Sequence, residues 1–342
     1  MSEKLTNILG YLTLFAILGA IWVLFGEDPS REQGARGERT FAGLEERINE
    51  VASVEIKQGV RTATIIRKND MWQMKERGGY AVELEKVRSM LRGAAFSLRR
   101  EPKTANKSRL ARLGLGSDAT RISLHDDTGG LIMNFDMGDR KGAPDGRSLT
   151  YAMQERDTRA WLVTNLSETS ADPGWWLERP LLSLNPKRFS DVIIGGAWLT
   201  RKLGDQDFRL QGKRAHETAA AAWQLAEPAR LVSGMGFADV RALTNPLSEA
   251  ISVVEFSTYD GLSIKLSLYD FDGGVWAQLN AKFDVALQNE GKGGVLPAAP
   301  ADGAAEAQAI ANAARGWFFK LSDADAAIFQ QKRADFLAPA GE

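Results

Sequence analysis

The spacing of apolar residues changes several times along this chain, and each change predicts an element. From Asn7 to Phe25 the run NILGYLTLFAILGAIWVLF carries no charge and is apolar all round. As a helix it would measure about 28 Å, close to the hydrocarbon thickness of a bilayer. It reads as a transmembrane anchor presenting Ile8, Leu12, Phe15, Ile21, Trp22 and Phe25 to lipid. A cleaved leader is the poorer reading. The run exceeds the usual apolar region of a signal peptide, keeps the bulky Trp22 near its end, and leaves through FGEDPSREQG without a small-x-small site. Lys4 precedes it, and Glu27 and Asp28 follow. That bias places the N-terminus inside and the rest of a single-pass inner-membrane protein outside the cytoplasm.

Beyond a polar linker at 26–44 the period falls to two. Ala52, Val54 and Ile56 alternate with Ser53, Glu55 and Lys57, the pattern of a half-buried strand. Further strands follow across Thr62–Arg67 and Met71–Lys75. The period then lengthens: Leu84, Val87, Leu91, Ala94 and Leu98 recur at three- and four-residue steps, predicting an amphipathic helix over Val82–Arg99. Strands resume at Arg121–His125, Leu131–Met137, Leu149–Gln154 and Ala160–Thr164, joined by turn residues.

After a connector rich in Trp and Pro, the same order returns. Asp191–Gly195, Ala197–Lys202 and Phe208–Gln211 read as strands, as does Trp223-Gln224-Leu225. A helix is expected from Pro228 to about Leu243, then strands at Ile251–Ser257, Leu262–Leu268 and Val275–Leu279. Trp317–Leu321 reads as one more strand, and Ser322 with Asp325 starts a last helix. The fold class expected is α+β: one N-terminal transmembrane helix, then two repeated units of antiparallel sheet covered by a helix. The divisions are a cytoplasmic 1–6, an anchor 7–25, a linker 26–44, units at 45–168 and 187–342, and a connector 169–186 between them. Residues 291–314 form a low-complexity insert in the second unit, with a weak helix at Ala304–Arg315.

Composition narrows the chemistry. With 43 basic against 44 acidic residues, the chain offers no global charge to attract nucleic acid, and none is expected as a partner. The absence of cysteine excludes disulfides, thiolate metal sites, cysteine nucleophiles and a lipidated cysteine. His125 closes a strand and His216 lies in a polar stretch, neither with convergent partners. Asp270-Phe271-Asp272-Gly273 resembles part of a calcium loop, but Ala281 stands where the closing glutamate belongs, so a hairpin turn is the better reading. Gly114-Leu115-Gly116 and Gly234-Met235-Gly236 are too short to cradle phosphate. The basic run from Arg99 and Arg100 through Lys103, Lys107, Arg109 and Arg112 reads as a solvated helix end. No catalytic residue, cofactor or metal is assigned. Trp175, Trp176 and Arg179 on the connector are the candidates for contact with a partner or ligand, beside the plainer reading that one indole packs between the units.

Several stretches together resemble a known family. They are VEIKQG at 54–59, IIRKNDMWQM at 65–74, SRLARLGLGSD at 108–118 and ISLHDDTGGLIMNFDMGDR at 122–140. To these add YAMQERDTRAWLV at 151–163, WWLERPLLSLNP at 175–186 and GWFFKLSDADAAIFQQKRADFLA at 316–338. The layout is similar to the bacterial domain of unknown function 4340. The resemblance implies proteins often encoded beside ABC-transporter components of the gliding-motility type and acting as their envelope-side accessories. It implies no catalytic residue. The function expected is a non-enzymatic, membrane-anchored accessory or scaffold of a bacterial envelope complex, with the bilayer and ABC-transporter membrane subunits as partners. The alternative is a binding module for a glycan, lipid or peptide in a cleft between the units, and after it a hydrolase.

Overall fold

The computed structural model describes residues 13–17, 36–142, 148–243, 249–288 and 302–339. The chain divides into two compact units. One comprises the residues up to Asn69 together with Glu85–Ala171; the other comprises Asp70–Leu84 together with Asp172–Glu342.

The first unit begins with the hairpin of β1 (Ser53–Gln58) and β2 (Arg61–Lys68). Two short strands, β3 (Met71–Met74) and β4 (Tyr80–Ala81), group with the second unit. Helix α1 (Leu84–Ala95) leads to β5 (Arg99–Pro102), and then come β6 (Thr120–His125), β7 (Leu131–Gly142), β8 (Ser148–Gln154) and β9 (Trp161–Val163). The alternation read from the sequence sets the core. Val54 lies opposite Ile65 and Leu124, and Ile56 opposite Ala63 and Ile122, all fully buried. Val87, Met90, Leu91 and Ala94 bury one stripe of α1. Each such large apolar side chain contributes about 1.5–3 kcal/mol relative to exposure.

The second unit repeats the plan. It holds β10 (Phe189–Ile194), β11 (Ala197–Thr200), β12 (Arg209–Leu210), helix α2 (Ala222–Ser233) and β13 (Asp239–Ala242). Then follow β14 (Ser252–Thr258), β15 (Leu262–Phe271), β16 (Gly274–Phe283), helix α3 (Gly303–Ala314), β17 (Trp317–Lys320) and helix α4 (Asp323–Phe329). Within the first unit the strands lie in the order β2-β1-β6-β7-β8-β9-β5, and within the second β12-β11-β10-β14-β15-β16-β17-β13. Leaving β12 aside, the two orders match strand for strand. In both, the strand after the helix goes to the far edge and pairs antiparallel with the last strand, β5 with β9 and β13 with β17. The units differ after β8 and β16. A short turn links β8 to β9, whereas α3 stands between β16 and β17.

Two expectations are corrected. The α+β class, with a transmembrane helix ahead of two helix-covered sheets, gives way to a structure built mainly from two large antiparallel sheets with few helices. The helical periods were real but short. The predicted helix over Val82–Arg99 stops at Ala95, because Arg99–Pro102 is taken up by pairing with β9. The predicted Pro228–Leu243 helix is Ala222–Ser233, and its last residues form β13 instead.

The second correction concerns the anchor. Among the described residues no helix is long and apolar enough to cross a membrane. Of the stretch 7–25, residues 13–17 are described as a helical turn with Phe15 exposed. Ile8, Leu12, Ile21, Trp22 and Phe25 lie outside the described residues. The transmembrane, single-pass and inner-membrane expectations therefore do not stand.

Candidate functional site

Trp175 and Trp176 sit on the single turn Pro173–Trp176, which Asp172 caps by accepting from the Gly174 amide at 3.0 Å. A turn, rather than an extended connector, lets the two indoles meet edge to face, 4.8 Å apart at 80°. Trp176 is fully buried and Trp175 half-buried. Arg179 donates to the Gly174 carbonyl at 2.8 Å and the Ala238 carbonyl at 3.0 Å, and its guanidinium lies over the Phe237 ring at 5.3 Å. These groups fasten the turn to the segment entering β13. Beside them Tyr80 meets Phe237 and Trp317 edge-on, and burial pushes its hydroxyl up to about 12.

The other sequence candidates are spread over the fold. His125 ends β6 opposite Ser53, and His216 is exposed. Among the described residues no group of three or more His, Cys, Asp or Glu is placed to hold a metal. Asp272 and Gly273 both adopt left-handed backbone between the paired residues Phe271 and Gly274. That is the turn an Asp-Gly step makes in a tight hairpin. Gly114 lies where a Cβ would stand 2.6 Å from Asp139, so it serves a close loop contact. In the basic run, Arg99 is spent on Asp157 at 2.9 Å and stacks over Trp161, while Lys103 pairs with Glu101 at 2.6 Å.

Two features escaped the sequence reading. One is a buried ion cluster. Arg188, only 4 % exposed, donates to both Glu306 oxygens at 2.8 and 2.6 Å and to Asp260 Oδ2 at 2.5 and 3.1 Å. The other is an outward-facing apolar pair. Ile193 on β10 lies opposite Trp198 on β11, and they are 50 % and 53 % exposed. The Trp198 indole N–H donates to Asp191 at 2.8 Å, which fixes the ring on the surface. The first unit supplies a comparison. Counted from the two-residue turn, Lys57 occupies the same place on β1, one pair back from Gln58 and Arg61, and faces Thr62 and Arg121. Ile193 lies between the buried Val192 and Ile194 and faces Trp198 and Glu255. The architecture thus accepts a polar pair here, and the second unit carries an apolar one.

A chain of two antiparallel sheets with matching strand orders, each joined to a helix of 12 residues, defines the class of protein. The chain belongs to the family described as Domain of unknown function (DUF4340), whose model matches residues 72–252. No curated protein and no solved structure matches it.

Proposed function

We propose that this chain is a non-enzymatic accessory or scaffold protein that works by binding other proteins, with ABC-transporter components as the partners that the family resemblance implies. The observation that carries the reading is the exposed Ile193–Trp198 pair. A large aromatic held at a fixed angle on a sheet face brings much contact area and little conformational entropy to lose, the profile of an interface anchor. The equivalent Lys57 and Thr62 argue that folding alone does not require apolar residues there.

The test is affinity purification of the tagged chain from its native host, wild type beside Ile193→Glu and Trp198→Ala. Recovery of transporter components with the wild type, falling at least tenfold in both variants, is expected. Trp223→Ala, which removes another exposed indole, serves as the control and keeps the recovery. Equal recovery by all four proteins, or no transporter component with any of them, overturns the reading.

A further inference from the structure

In the second sheet β16 outruns its neighbour. The β16–β17 ladder consists of Trp276 opposite Lys320 and Ala277 opposite Phe319, continued by the Leu321 amide donating to the Val275 carbonyl at 2.9 Å. It ends there, while β16 continues to Phe283 paired on its other side with β15. Main-chain groups of a strand alternate between its two neighbours. Val275 and Ala277 turn theirs toward β17, so Leu279 and Ala281 do the same. Among the described residues no hydrogen bond meets the N–H and C=O of Leu279 and Ala281 on that side.

This open edge borders a cavity of about 490 Å³. Gln278 to Ala281 line one side, and Gln308, Ala311 and Ala314 of α3 line the other. Leu243, Arg315 and Gly316 close the end where β17 rejoins the sheet. The volume lies in the range of ligand sites. The small side chains of Ala311 and Ala314 leave room between helix and strand. Arg315 is exposed and makes no ion pair among the described residues.

We propose that this slot receives the C-terminal segment of a partner polypeptide as an added antiparallel strand. Four features decide the occupant. Unmet donors and acceptors at Leu279 and Ala281 call for an extended main chain, as in other cases of strand addition. A peptide antiparallel to β16 ends toward Arg315, whose charge complements a terminal carboxylate. Alanines on α3 select small or medium apolar side chains at alternate positions. Amides of Gln278 and Asn280, which alternate with Leu279 and Ala281 along β16, favour polar residues between them. The site is separate from the Ile193–Trp198 face, and it stands or falls on its own.

The experiment is selection of a randomised seven-residue peptide library with free carboxyl termini on the full-length chain, followed by fluorescence anisotropy of the enriched peptides. Enrichment of alternating apolar sequences is expected, with loss on Ala311→Trp, which fills the slot. Amidating the carboxyl terminus, or Arg315→Gln, should weaken binding about tenfold, the loss of one charge-assisted contact. N-methylation of the peptide at alternate amides should abolish binding in one phase and spare it in the other. Circular dichroism of Ala311→Trp separates a filled slot from a misfolded chain. No enrichment over Ala311→Trp, or N-methylation that acts equally in both phases, overturns the proposal. Displacement of the peptide by added unlabelled chain would assign the edge to a second copy and likewise overturn it.

Discussion

Arg188 holds Glu306 through two parallel hydrogen bonds, and with it the first turn of α3. The side of α3 turned inward is Gly303, Glu306, Ala307, Ile310, Ala311 and Ala314, so a single large apolar residue docks the helix. Helix α1, with Val87, Met90 and Leu91 buried, does not depend on an ion pair in this way. Glu306→Ala should cost about 2–3 kcal/mol, because Arg188 keeps Asp260 but loses its bidentate partner in a buried setting. Hydrogen exchange should speed at α3 well before β10 and β14, and urea denaturation gives the magnitude.

A glycine-to-alanine change inside a helix ordinarily stabilises by up to about 1 kcal/mol. Gly93 in α1 should behave in the opposite way. A Cβ there would stand 2.3 Å from the Asn165 carbonyl oxygen, a main-chain atom that cannot step aside. Gly93→Ala is expected to destabilise by about 1–3 kcal/mol, the usual range for overpacking. A lowered thermal midpoint checks the sign.

Tyr80 should titrate late. Burial first, and then the Glu178 carboxylate, disfavour its anion, and Arg179 offsets part of this. The unfolded side chain ionises near 10 and the folded one at about 12. The folded state therefore holds its proton longer. This stabilisation is complete below about pH 10 and is lost as the pH rises through about 12, roughly 2 kcal/mol in all. The difference in tyrosinate absorbance between the wild type and Tyr80→Phe should show one late-ionising group, and denaturant midpoints should fall across the same window.

The tryptophans separate by environment. Trp176→Ala, at a fully buried indole, should cost about 3–5 kcal/mol. Trp223→Ala, at an indole 68 % exposed on the first turn of α2, should cost under about 0.5 kcal/mol. Chemical denaturation of the two variants tests the contrast.

Much of the fold was legible where one face is buried. Val54 and Ile56 against Glu55, and Met133, Phe135 and Met137 on β7, follow the rule of alternation. The α1 stripe follows its helical period. Trp223-Gln224-Leu225 misled because three residues fit a strand as well as a helix. Pro228 was assigned to a first turn, yet the alanines before it extend the helix upstream, with the Gln224 side chain accepting from the Ala221 amide at 3.1 Å. The run Asp191–Leu199 reads as a strand and a turn, but apolar residues on both faces hide which of them look outward. Ile193 and Trp198 become visible only with the register. Arg188, Asp260 and Glu306 are far apart in sequence and share no local signal. The open edge at Leu279 depends on where β17 leaves β16, a matter of geometry that no local pattern encodes.

The strand orders carry a consequence for biosynthesis. Asp239–Ala242 leaves the ribosome long before Trp317–Lys320, the strand it pairs with among the described residues, and in the other unit Arg99–Pro102 likewise precedes Trp161–Val163. Each half must keep one ribbon waiting until its final strand is translated. Truncation just ahead of Trp317 should therefore leave a nascent chain with β13 bare, a natural substrate for chaperones.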